Sequence, residues 1–280
     1  MRHHTPRPPV AVMLKSNLSG RDFVVGDLSA CGDFAAIDRA MVDQSFDVER
    51  DRLFCVGHVG VDAVTALDAK AVLRFLSQPH VFAIRGEREE RLLALSARVA
   101  LAGDGLAGLM AANCTAWFSA ADAADRARIL ELLTAMPLAI QTGTETGGVT
   151  GYVHAQVPAG LSWSWFMRSL NDADGYTTDM ALFGRIPGDA ITNDLNATTR
   201  PLTPAVAGAE TIFVGHAGAT ARRGQSNRPS NVHHVNGMQR AYSDFSSERR
   251  PEASTAVQNL RERLQAFVFT VMKPQRVVMR

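Results

Sequence analysis

Phe23-Val24-Val25-Gly26-Asp27-Leu28-Ser29-Ala30 is the stretch that decides the fold. The apolar residues predict a buried strand, Gly26 ends it, and Asp27 places a carboxylate in the tight turn that follows. The pattern returns in Leu53-Phe54-Cys55-Val56-Gly57-His58 and in Val81-Phe82-Ala83-Ile84-Arg85-Gly86-Glu87-Arg88. It returns again in Thr211-Ile212-Phe213-Val214-Gly215-His216. Each time an apolar run stops at a glycine, and a side chain able to bind a metal ion follows at once. An α/β sheet presents ligands in this way, at the carboxyl ends of its strands.

Between these runs the spacing turns helical. Phe34, Ile37 and Met41 predict a helix over 32–44, and Leu67, Ala71 and Phe75 predict another that stops before Gln78-Pro79. Strand, helix, strand, helix, strand is the βαβ pattern of a sheet with covered faces. Residues 89–97 and 122–135 read as helices, the latter with Ile129, Leu130, Leu132 and Leu133 inward. Residues 141–150, with Gly143, Gly147 and Gly148, read as a turn before the strand that carries His154. Trp117, Trp163 and Trp165 are expected to serve packing, and 266–271 reads as a closing strand.

The chain has 280 residues, 46% of them hydrophobic and 20% charged, enough to bury a full core as one large domain. A formal net charge of +1 gives the whole chain no pull toward nucleic acid or an anionic membrane. Cys31, Cys55 and Cys114 are odd in number and show no CxxC spacing, so all three are expected to be reduced. No apolar run reaches the length of a membrane span, and residues 1–9 are polar and proline-rich rather than signal-like. Cytoplasmic residence is expected, with export as a signal-less effector the alternative. Residues 1–20 are expected to form a flexible leader and first strand region, and 21–280 a single domain. Residues 219–252 carry six arginines against Asp244, Glu248 and Glu252, and read as a polar insertion. It is either a solvated loop or a lid for a partner or an anion.

The ordered motifs, with the flanking Arg21-Asp22-Phe23 and Asp47-Val48-Glu49-Arg50-Asp51-Arg52, resemble the calcineurin-like metallophosphoesterase superfamily. The branch they resemble is the bacterial and phage-type serine/threonine phosphoprotein phosphatases, whose text runs GDxHG, GDxxDRG, RGNHE, His-Ala, Arg and GH. The resemblance spans about residues 21–216. It implies an α/β fold, a metallophosphatase β-sandwich flanked by helices with a helical cap region. It also implies two metal ions bridged by a carboxylate and a hydroxide.

Carried across position by position, the resemblance shows a degraded motif set. Asp27 keeps the first ligand, but Ser29 stands where that metal's histidine should be, which leaves Asp27 as a remnant of a lost site. His58 replaces the bridging aspartate, and a neutral imidazole offers one lone pair where a bridge needs two. At the second metal position His58, Glu87, His154 and His216 form a ligand set competent for one manganese, zinc or iron ion. Arg88 occupies the general-acid position and stays protonated at any working pH, so it cannot cycle as an acid. Val61 and Asp62 replace the family's supporting aspartate and a phosphate-binding arginine, while Arg185 matches the other phosphate clamp. Glu87 has a second option, an ion pair with Arg85 or Arg88 at the surface. Asp62 or Asp33 could supply missing ligands after a local shift, which would restore a two-metal site.

Three functions follow from the resemblance. One is a pseudophosphatase, metal-free or nearly so, that binds a protein partner. Another is a phosphoesterase using one divalent metal on a phosphorylated substrate. The last is an ordinary two-metal phosphatase. Neither nucleic acid nor membrane is an expected partner.

Overall fold

The computed structural model describes residues 10–26, 28, 31–60, 66–102, 116–144, 146–184, 205–215, 232–234 and 269–271. The leader 1–9, most of the insertion 219–252, and Asp27, Ser29, Val61, Asp62, Arg185 and His216 lie outside the described residues.

Two sheets stack face to face. One is built on β2 (Asp22–Val25), β3 (Arg52–Cys55) and β4 (Val81–Ala83), all parallel, with β9 (Phe269–Val271) antiparallel on β2. The other runs β1 (Ala11–Leu14), β5 (Ala139–Gly143), β6 (Val149–Val153), β7 (Thr211–Val214) and β8 (Val232–His234) in spatial order. Among the described residues, only β5 and β6 pair antiparallel in that sheet.

Side-chain alternation builds three layers of core. Val24, Phe54, Val56 and Ile84 from one sheet meet Ile140, Tyr152 and Phe213 from the other. Phe54 and Tyr152 stack across this interface with ring centroids 4.1 Å apart and planes 8° from parallel. The opposite faces carry helices. Phe23, Val25, Leu53 and Cys55 pack under α1 (Cys31–Asp43), α2 (Ala66–Leu76), α4 (Ala116–Ala120) and α5 (Ala123–Ala135). Ala139, Val153, Ile212 and Val214 pack under α6 (Trp163–Asn171) and α7 (Gly175–Phe183). Strands buried on both faces need continuous apolar runs, and the glycine-terminated stretches supply them. This is the α/β sandwich flanked by helices that the family resemblance implies.

The cap region begins with α3 (Glu87–Ala102), which leaves the site directly and packs against α5. Asp122 caps α5, its carboxylate accepting from Asp125 N at 2.8 Å. Ile129 and Leu133 are buried in α5, whereas Leu132 is only half-buried, short of its predicted place in the core. The expected turn over 141–150 is narrower in the structure: Gln141–Gly143 belong to β5, Val149 and Thr150 to β6, and Gly147 (φ 83°) marks the reversal between them. Trp117 and Trp163 pack as expected, but Trp165 is 57% exposed and lies under the Arg168 guanidinium, 4.8 Å from the ring centroid. Helical spacing explains the difference: Trp163, Phe166, Met167 and Leu170 form the inward stripe, and position 165 falls outside it.

Candidate metal centre

The carboxyl ends of β3, β4 and β6 converge. Beyond β3 the chain turns through Gly57 (φ 101°) and His58 (φ 57°), a left-handed pair in which the second residue is not glycine. A non-glycine residue there costs about 1 kcal/mol or more, and such strain persists only where the surroundings fix it. Two contacts from the first turn help to do so. Leu28 N donates to His58 O at 2.9 Å, and Gly60 N donates to Leu28 O at 2.6 Å. The segment that carries Asp27 is thereby joined to the segment that carries His58.

Glu87 opens α3 just beyond β4, and its Oε1 lies 4.0 Å from His58 Nε2 with both side chains buried. Arg85, one of the two surface partners weighed for Glu87, is engaged elsewhere: it pairs with Glu90 at 3.0 Å and donates to Met136 O at 3.2 Å. Arg88 is half-buried in the first turn of α3.

His154 follows β6 and is fully buried. Its Nδ1 is 2.7 Å from the Val56 carbonyl oxygen, which can only accept, so Nδ1 carries a proton and, in the neutral imidazole, Nε2 holds the lone pair. The ring sits 4.2 Å from that of His58, centroid to centroid. It occupies a slot lined by Gly57 and Gly86, where a Cβ at either position would press on the imidazole. Gly215 N donates to His154 O at 2.9 Å, which brings the end of β7 against the same strand, one residue before His216.

Sequence reasoning missed Glu89. This buried carboxyl group accepts from the backbone N–H of Gly86 at 2.8 Å, of His58 at 3.2 Å and of Val59 at 2.7 Å. The available signal was its place two residues after Glu87, where RGNHE also ends in glutamate.

Among the described residues no group of three or more His, Cys, Asp or Glu side chains is arranged to hold a metal ion. The donor chemistry nonetheless fits one. Two ligands about 2.1 Å from a tetrahedral ion lie about 3.4 Å apart, so the 4.0 Å between His58 and Glu87 needs only a small side-chain adjustment. A histidine with one nitrogen donating to a backbone carbonyl is also the usual form of a metal-binding imidazole.

The stacked sheets and the flanking helices give the chain the α/β metallophosphatase fold. A solved structure provisionally assigned as a diadenosine tetraphosphatase aligns with 81% of this chain and 87% of its own length, with a TM-score of 0.52 and 20% identity. A protein serine/threonine phosphatase from Saccharomyces cerevisiae with similarity to human phosphatase PP5 aligns with 56% of this chain and 45% of its own, at a TM-score of 0.34 and 14% identity. No protein-family model matches the chain. No curated protein sequence matches it either. Among the described residues no helix is long and apolar enough to cross a membrane.

Proposed function

We propose that this chain is a divergent member of the bacterial and phage-type serine/threonine phosphatase branch that holds one divalent metal ion and acts as a phosphoesterase. His58, Glu87 and His154 would hold the ion together with His216. The observation that supports this most is the buried His58–Glu87 pair beside a His154 whose tautomer is set by Val56. What such an ion supplies is Lewis acidity toward a phosphoryl oxygen and toward a water nucleophile.

The chain's own residues then limit the substrate. With Arg88 in place of a general acid, no proton is available there for a departing alkoxide. Hydrolysis should favour esters whose leaving group departs as a stable anion. Arg88 and Arg185 are suited to hold the phosphoryl oxygens. The test compares p-nitrophenyl phosphate with an alkyl phosphate in manganese, zinc or iron. Turnover of the aryl ester alone, abolished by His154→Ala, supports the proposal. Equal turnover of both esters, or turnover that survives chelation, contradicts it.

The other reading is a pseudophosphatase that engages a protein partner through its cleft or through residues 219–252. The fixed cation at Arg88, in the first turn of α3, favours it. It expects no hydrolysis of any ester, and partner binding that tolerates His154→Ala.

A further inference from the structure

Glu89 holds two ligand-bearing segments with one carboxyl group. The left-handed turn at His58 points the successive N–H groups of His58 and Val59 to one side, a concavity suited to an anion. The chain fills it from within: Glu89 Oε1 accepts from Val59 N, and Oε2 accepts from His58 N. The same Oε2 also accepts from Gly86 N, the donor just ahead of α3, in the manner of half a capping box. One oxygen is therefore shared by the backbone of His58 and the residue before Glu87. Glu89 is 3% exposed, so water cannot readily replace these bonds. Gly86 is part of the device, because a Cβ there would lie 2.9 Å from Glu89 Oε2.

We propose that Glu89 is a positioning residue that sets the spacing of His58 and Glu87. It fixes the strained turn and the helix start to one another before any ligand arrives. Its effect on metal binding rests on the one-metal reading above, but its effect on geometry does not.

Glu89→Gln is nearly isosteric yet turns one acceptor into a donor facing an N–H. In the folded full-length variant, NMR should show loss of the ring-to-ring NOE between His58 and His154. The NOE between Phe54 and Tyr152, stacked deeper in the sandwich, should remain. Zinc alone, titrated into both proteins, should bind the variant about 10- to 100-fold more weakly. Both NOEs retained, or both lost together, would overturn the proposal. Should the variant not fold, amide exchange in the wild-type chain decides: Gly86, His58 and Val59 should be protected, and rapid exchange at all three counts against the clamp. A wild-type chain with no zinc affinity would sink the one-metal reading and leave the NOE result to judge Glu89.

Discussion

His154 Nδ1 lies 2.7 Å from the carbonyl oxygen of Val56, joining the strand end of one sheet to that of the other. This contact fixes the imidazole tautomer and needs both neighbouring glycines. Gly57→Ala should therefore act twice, through its φ of 101° and through collision with His154. A loss of about 2 kcal/mol is expected from denaturant unfolding, together with weakened zinc binding. Gly86→Ala should weaken zinc binding as well.

Two tryptophans two residues apart should behave oppositely. Trp163 is 1% exposed, packs on Phe166 and donates from Nε1 to Gln141 Oε1 at 2.9 Å. Its replacement by alanine should cost about 3–5 kcal/mol. Trp165, mostly exposed, should lose no more than about 0.5 kcal/mol on the same change. Urea unfolding of the two variants checks the contrast.

His80 is buried beside Phe46, and among the described residues its Nε2 has no hydrogen-bond partner. Burial lowers its pKa from the ordinary 6.5. Below pH 6.5 the unfolded chain takes up a proton that the folded chain refuses, so stability falls as pH drops from there toward the lowered value. His80→Leu should flatten this part of the profile, measured as unfolding midpoints at neutral and mildly acidic pH.

Asp51 acts in a separate window. Burial pushes its carboxyl up, but this is outweighed by hydrogen bonds from the Arg21 side chain, from Asp47 N and from Arg21 N, and by the Arg21 charge. The carboxyl is held below its ordinary 3.8, so the stabilisation is complete above the unfolded value and disappears as pH falls through the folded one. Asp51→Asn should cost about 2 kcal/mol at neutral pH and less in strong acid.

The α/β sheet was legible because β2, β3 and β7 carry apolar runs, mostly buried, that stop at a glycine, whereas the sandwich was an expectation of the family resemblance. Helix positions were legible from stripes such as Phe34 and Ile37, or the packing of Phe75. Trp165 and Leu132 were placed inward on hydrophobicity alone, although the spacing of Trp163, Phe166, Met167 and Leu170 puts position 165 off the inward stripe. Of the site, His58, Glu87 and His154 could be found from their places after strand ends. The closing glutamate of RGNHE could have pointed to Glu89, but its role could not be read, since that depends on meeting the N–H groups of a turn some 30 residues away. The tautomer of His154 was equally invisible, being set by a carbonyl 98 residues distant.

Metal stoichiometry by elemental analysis tests the central claim most directly, on protein purified without chelator and re-equilibrated with manganese, zinc and iron. About one ion per chain is expected, retained through dialysis and lost in His154→Ala. No retained ion under any of these conditions, or about two ions per chain, would contradict the account.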